Sequence, residues 1–380
     1  MKNAHSDTRL RVLMVLSYFY PFRAGAENQA LLLSEALRRR GLDVFVLTRF
    51  FKGLASRESI RGVPVYRFIK TLDVRMLFSL CYIFFSFVFM VMHRKRYDVI
   101  HCHILQGFHS SVAVIMGRMF KKKTVIKLAG SGTTSDFAAL ARVVCAGAFL
   151  RLLRRADRLV ATSTVSAREA LQQGFSREQV VLIPNGVDAR RFRPREGYAD
   201  SRSRIVYVGR LIAGKGIEIV IDAFAQLRRD FPRLRLDIVG DGPERNSLAA
   251  RAEELACRDG VVFHGEADAV ERFFDNTCIF AQPSLSEGMS NVILEAMAAG
   301  LPVVASRTGA APDVIRDGEN GLLVEADSAA QLRDALQRIV SDEALARRLG
   351  TNARQTIEDT YAIDIVAEQY MELYRGLAAS

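Results

Sequence analysis

The chain is short of the residues that build disulfide frameworks and metal sites. Its five cysteines, Cys81, Cys102, Cys145, Cys257 and Cys278, are scattered through 380 residues, odd in number and without a Cys-x-x-Cys pair. A stapled scaffold and a structural zinc site are thereby excluded, and a reducing compartment is expected. Residues 1–11 carry no apolar run and do not read as a secretory signal, so a cytoplasmic address is expected. No internal repeat or low-complexity tract is visible. No Gly-x-Gly-x-x-Gly follows the first strand-like run and no acidic residue ends the second, which excludes a dehydrogenase.

What is present is an ordinary globular composition, 49% hydrophobic and 25% charged, long enough for two domains. The net charge of +11 hides an asymmetry. Residues 1–190 hold 30 Lys and Arg against 12 Asp and Glu, whereas the remainder holds 23 against 30. A basic first half suits an anionic membrane surface or a phosphate-bearing substrate. The same half contains Met76–Met92, seventeen residues without a charge, followed by His93-Arg94-Lys95-Arg96. A bilayer span needs about 20 residues, and a strand-like run follows at once, so a helix dipping into the membrane surface is expected; a buried core helix is the alternative.

Short β-branched runs alternate with helical stretches throughout, the pattern of parallel α/β sheets. Strands are expected at Leu10–Leu16, Leu42–Thr48, Val63–Phe68, Asp98–Cys102, Thr124–Leu128, Arg158–Thr162 and Val180–Pro184. A second series follows at Arg204–Val208, Leu234–Val239, Val261–His264, Cys278–Gln282, Pro302–Ala305 and Gly321–Val324. The turn-rich segment Asn185–Ala199 reads as a linker. The expected organisation is a Rossmann-like domain over 1–186, a second over 187–358, and a final helix over 359–380 crossing back to the first. Two such sheets bind ligands outside the carboxyl ends of their strands, at a crevice where they face each other.

Three glycine-bearing turns in the second series suit a nucleoside diphosphate. In Val208-Gly209-Arg210-Leu211 with Gly214-Lys215-Gly216, Gly209 allows close backbone approach while Arg210 and Lys215 offer two cations. Gly216 stands where a phosphate-binding loop of the ATPase kind needs a hydroxyl, which argues against that class. In Glu287-Gly288-Met289-Ser290-Asn291 the chain turns at Gly288, and Ser290 or Asn291 caps a helix whose first N–H groups form an anion seat. Glu287 on the loop and Glu295 within the helix can reach opposite ends of one elongated ligand, with carboxylates suited to sugar and ribose hydroxyls. The third turn, Gly240-Asp241-Gly242-Pro243-Glu244, fits a ligand loop or a plain strand–helix connection equally well.

The strings VGRL…GKG, IVGDGPE, PSLSEGMSNVILEAMAAGLPVVAS and ENGLLV resemble those of glycosyltransferase family 4, over nearly the whole chain and most specifically in Arg204–Val324. The resemblance implies an α/β fold of GT-B architecture and a retaining transfer of a hexosyl or N-acetylhexosaminyl group from a UDP-, GDP- or similar nucleotide-sugar, without a required metal. It places Arg210 and Lys215 at the donor diphosphate, Glu287 at the transferred sugar and Glu295 at the ribose, with Gly209, Gly265, Gly288, Met289, Ser290 and Asn291 around them. It also makes Gly25, in the loop Tyr20–Glu27, a backbone approach to the donor. The expected acceptor is membrane-associated, lipid-linked or a lipopolysaccharide or polysaccharide precursor. Binding of nucleic acid is not expected.

One departure stands out. Many members carry a histidine at the end of the strand matching Thr124–Leu128, where this chain reads Lys127-Leu128-Ala129-Gly130-Ser131-Gly132. Ser131, Thr133, Thr134 or Asp136 is expected in its place, and His103 is a further acceptor-side candidate. His101 and His103 share one strand face with Cys102 on the other, and no third ligand is apparent, so a metal site is not expected there. The alternatives are a nucleotide-sugar 2-epimerase or hydrolase of the same fold, disfavoured by the missing histidine, and a non-catalytic nucleotide-sugar-binding component of a membrane assembly, disfavoured by the intact Arg210, Lys215, Glu287 and Glu295.

Overall fold

A computed structural model describes residues 9–379 apart from 23, 73–74, 106–107, 133–134, 144, 195–202 and 276, and leaves aside the side chains of 75 and 76. Thr133 and Thr134 lie outside the described residues. The chain divides into two compact units, Met1–Gly186 with Ile363–Ser380, and Val187–Ala362.

In the first unit, strands β1 (Arg11–Val15), β2 (Asp43–Arg49), β3 (Arg57–Ile60), β4 (Val63–Ile69), β5 (Val99–Cys102), β6 (Lys123–Lys127), β7 (Arg158–Ala161) and β8 (Val180–Leu182) form one sheet. Its order is β3-β4-β2-β1-β5-β6-β7-β8. Side-chain alternation sorts the core onto two faces. Val12, Met14, Val44 and Val46 pack under the helices Gly25–Arg39 and Ile363–Ala379, whereas Leu13, Val15, Phe45 and Leu47 pack under Arg75–Met92 and Phe108–Phe120. The C-terminal helix is held to the first helical layer by Tyr370 and Tyr374, both fully buried, and by Arg40 donating to Asp364 at 2.8 Å.

In the second unit, β9 (Arg204–Val208), β10 (Arg235–Val239), β11 (Val261–Gly265), β12 (Ile279–Gln282), β13 (Val303–Ser306) and β14 (Leu322–Val324) form a wholly parallel sheet. Its order is β11-β10-β9-β12-β13-β14. The winding reverses between β9 and β12 here and between β1 and β5 in the first unit. These are the switch points at which such sheets leave a ligand niche beyond their carboxyl ends.

Two segments differ from the sequence reading. Strand β3 was not expected, because Arg57-Glu58-Ser59-Ile60 carries a single apolar residue. It forms as the antiparallel partner of β4 across the turn Arg61-Gly62, whose two residues both take positive φ (49° and 80°). The linker reading of Asn185–Ala199 also fails in part. Val187 and Phe192 are buried in the second unit, and Arg354 caps the carbonyls of Ala189 (2.9 Å) and Phe192 (2.7 Å).

The helix Arg75–Met92, without a charge from Met76 onward, is buried on one side only. Tyr82, Ser86, Phe89 and Met90 face the core. Leu77, Leu80, Phe84 and Phe87, spaced 3, 4 and 3 apart, form a stripe exposed by 39–60%. The neighbouring helix Phe108–Phe120 also exposes Ile115 and Met119, and the residues that follow the two helices, Arg94, Lys95, Arg96 and Lys121, are exposed as a basic rim. No helix among the described residues is long and apolar enough to cross a membrane.

Candidate functional site

The niche at the β9/β12 switch point gathers several of the expected donor residues. Leaving β9, the chain runs through Gly209–Gly216; leaving β12, it runs through Pro283–Ser290 into the helix Asn291–Ala298. The two loops nest. Leu285 N–H donates to the Gly214 carbonyl at 2.9 Å, and Gly216, at φ +68°, sits so close to Pro283 that a Cβ would lie 2.1 Å from its carbonyl oxygen. Only glycine fits there.

This nesting brings Lys215 Nζ to 2.6 Å from Glu287 Oε2. The same oxygen accepts from Gln282 Nε2 at 3.3 Å and from Ser284 Oγ at 3.4 Å. Ser290 caps the helix through Ile293 N–H and donates to Gln282 Oε1 at 2.8 Å. With Gly288, Ser306 and Thr308, the side chains of Gln282, Ser284, Glu287 and Ser290 line a small recess whose other walls are Ile293, Ala305 and Ala311. Sequence reasoning missed Gln282 and Ser284. Their signal was a polar residue closing the otherwise apolar run Ile279–Gln282, the place where a buried polar side chain needs a reason.

Other expected residues lie around this recess in different settings. Arg210 is exposed and forms no ion pair among the described residues. Gly209 is fixed by its N–H on the Val239 carbonyl at 2.9 Å, and Gly240 packs so tightly on it that a Cβ there would lie 1.9 Å from the Gly209 oxygen. The glycines after β10 therefore shape the Gly209 loop by packing. Met289 is buried, Asn291 opens the helix, and Gly265 ends β11 at φ +73° with its carbonyl bonded to Gly240 N–H.

Glu295 points into different surroundings from Glu287. Enclosure by protein raises its pKa to about 7, and the nearby Arg191 opposes that rise. Arg191, from the segment read as linker, pairs with Glu271 at 2.8 Å beside it. The two carboxylates thus serve separate neighbourhoods, one ion-paired and one half-ionised near neutrality.

In the first unit the acceptor-side candidates stand differently from expectation. His103 is 1% exposed, stacks on His101 at 4.4 Å and places Nε2 3.4 Å from the Met14 sulfur. His101 Nδ1 meets Tyr374 OH at 2.6 Å, so the C-terminal helix covers this pair. Burial drives the His101 pKa down to about 3 and that of neighbouring Lys127 down to about 7. As the unit stands, His103 is a core histidine without a surface.

Asp136 is likewise committed. Its Oδ2 accepts from the N–H groups of Ala129 (2.7 Å) and Gly130 (2.9 Å), and its Oδ1 from Leu105 N–H (3.2 Å). It ties two loops together, and burial raises its pKa against those three bonds. Ser131 is buried beside them. Gly25 is the exposed first residue of its helix, with Ala24 at the cap position. Among the described residues no group of three or more His, Cys, Asp or Glu could hold a metal ion.

Comparison with known proteins is consistent along the chain. A sequence model of glycosyl transferases group 1 matches residues 188–356, and one of glycosyltransferase family 4 matches residues 23–191. The gpi3 component of phosphatidylinositol N-acetylglucosaminyltransferase from Schizosaccharomyces pombe is 24% identical over 373 residues, 96% of this chain and 80% of that protein. The lipopolysaccharide core biosynthesis glycosyltransferase LpsE of Rhizobium meliloti (strain 1021) is 33% identical over 169 residues, 44% of this chain and 48% of its own length. Among solved structures, sucrose-phosphate synthase from Thermosynechococcus elongatus superposes with a TM-score of 0.81 at 26% identity, over 98% of this chain and all of that one. Anabaena HepE in complex with UDP gives 0.80 at 22% identity, over 97% of this chain and all of that one. The two family matches adjoin and leave only the chain ends uncovered, the fold is that of GT-B enzymes, and the chain belongs to the glycosyltransferases of family 4.

Proposed function

We propose that the chain is a retaining glycosyltransferase that moves a sugar from a nucleoside-diphosphate sugar to a lipid-linked acceptor at the cytoplasmic face of a membrane. The observation that carries the donor half is the Lys215–Glu287 pair at the β9/β12 switch point, one cation and one carboxylate held together at the mouth of a helix N-terminus. A diphosphate entering there displaces the carboxylate from Lys215 and takes its charge, with Arg210 as a second cation. Glu287, once released, accepts hydrogen bonds from sugar hydroxyls, and Glu295 meets the ribose. The UDP bound by HepE fits this assignment.

For transfer with retention, the acceptor hydroxyl oxygen bonds to the anomeric carbon on the face the leaving group departs. The carbon–phosphate-oxygen bond breaks, and the acceptor's proton passes to the leaving phosphate oxygen. Arg210, Lys215 and the helix N–H groups stabilise the charge that grows on the diphosphate, and no metal is required in this scheme. The membrane half rests on the exposed stripe Leu77, Leu80, Phe84 and Phe87 with its basic rim, and on relatives named for lipopolysaccharide core and phosphatidylinositol glycosylation.

The donor assignment is tested by calorimetric titration with nucleoside diphosphates. Lys215→Ala and Arg210→Ala are each expected to weaken the tightest binder by about 1.5–3 kcal/mol, the worth of a charged hydrogen bond. Unchanged affinity in both variants removes the Gly209–Gly216 loop from the donor site.

A further inference from the structure

Arg49, at the carboxyl end of β2, differs from Arg11, Arg40 and Arg67 of its unit. Arg11 pairs with Asp98 (2.7 Å), Arg40 with Asp364 (2.8 Å) and Arg67 with Glu58. Arg49 has no carboxylate partner among the described residues. Its guanidinium carbon instead lies 5.2 Å from the ring centre of Tyr18, 5.0 Å from that of Phe51 and 4.9 Å from that of Phe78. One terminal nitrogen donates to Tyr18 OH and the other to Thr71 Oγ1, both at 3.0 Å, and Nε is buried without a partner.

Three aromatic faces hold the cation in a fixed orientation but supply no anion. A guanidinium presents a planar fork matched to two phosphate oxygens, and partial withdrawal from water strengthens such a contact. The surroundings add a direction. Phe78 belongs to the apolar helix, and Leu77 and Leu80 open its exposed stripe. Leu72 (55% exposed) follows Thr71, and Tyr18 and Phe22 are exposed on the other side. The cage therefore sits at the carboxyl edge of the sheet where a hydrocarbon-ready surface begins.

We propose that Arg49 and its cage bind the phosphate of a single-chain lipid phosphate whose hydrocarbon lies along Leu72, Leu77 and Leu80, so that this is the acceptor's anchoring point. The proposal rests on the membrane reading of the apolar helix, and the test separates the two. The probe is farnesyl diphosphate, titrated beside farnesol, which has the chain without the anion, and inorganic diphosphate, which has the anion without the chain.

The parent is expected to bind farnesyl diphosphate about tenfold or more tighter than either control, and Arg49→Ala to lose that advantage. Arg49→Lys keeps a cation and most of the stem while losing the planar fork. It is expected to bind between the two and covers the case in which the alanine variant fails to fold. Farnesyl diphosphate binding no tighter than farnesol, or undiminished in both variants, overturns the site. Inorganic diphosphate binding as tightly as the farnesyl compound overturns the lipid assignment. Binding of the parent to phosphatidylglycerol-containing vesicles is measured in parallel. A parent that ignores vesicles yet binds farnesyl diphosphate through Arg49 supports the site and removes the membrane reading alone. One that binds vesicles but not farnesyl diphosphate overturns the site and leaves that reading standing.

Discussion

Glu287→Gln is expected to lower kcat by on the order of a hundredfold while leaving the dissociation constant for the nucleoside diphosphate within about threefold, the size of loss seen when one charged contact to a transition state is removed. The substitution preserves shape, so Gln282, Ser284 and the nested loops keep their places. What disappears is one negative charge, 2.6 Å from Lys215. Without it Lys215 has no counter-charge to give up when a diphosphate arrives, so binding is maintained or strengthened. The sugar, by contrast, loses an acceptor of full charge at the moment positive character develops at its anomeric carbon. Glu295→Gln is expected to show the reverse, a raised donor KM with kcat little changed. Exchanged phenotypes would mean that the two carboxylates have been assigned the wrong way round.

Phe84→Asp is expected to release the protein from anionic vesicles by a hundredfold or so while leaving its thermal midpoint and nucleotide binding nearly unchanged. Phe84 is the most exposed aromatic of the apolar stripe, at 60%. Burying such a side chain in lipid is worth roughly 1.5–3 kcal/mol, and a carboxylate beside an anionic surface adds about 1 kcal/mol of repulsion. Phe85→Asp, one residue on, is the contrasting variant. Phe85 packs inward, its ring centre 5.9 Å from that of Phe68, so a carboxylate there is expected to unfold the first unit. Vesicle binding by the parent should weaken with added salt as the charges of Arg94, Lys95 and Arg96 are screened. A parent that ignores anionic vesicles at low salt, or a Phe84→Asp variant that binds like the parent, contradicts the membrane reading.

These neighbours also mark where the sequence stops being legible. The run Met76–Met92 is apolar around its whole circumference, so no periodicity distinguishes Phe84 from Phe85; the direction is set by the sheet beneath. The strand series and the glycine turns after β9 and β12 were readable because β-branched runs and Gly-Lys-Gly or Glu-Gly strings are local signals. Strand β3 was not, since a charged four-residue edge acquires its conformation from the turn at Arg61-Gly62 and from β4. The burial of His103 was invisible for a different reason. Tyr374, which covers its neighbour His101, lies 273 residues further along the chain. Asp136 has the right chemistry for an acceptor site, and only the folded loops reveal that three backbone N–H groups already occupy it. Arg191 was lost in a turn-rich stretch whose packing depends on Arg354, far away in the sequence.

The proposed reaction is transfer of sugar from a nucleotide-sugar onto a lipid-linked acceptor without a metal. It is tested most directly by incubating the purified protein with a panel of nucleotide-sugars labelled in the sugar, a bacterial membrane lipid extract in vesicles, and excess chelator. Label is expected in the organic-solvent-extractable fraction for one donor, undiminished by chelator and absent with Lys215→Ala. Label that stays wholly in water-soluble products across the panel, or transfer that stops on chelation, would contradict it.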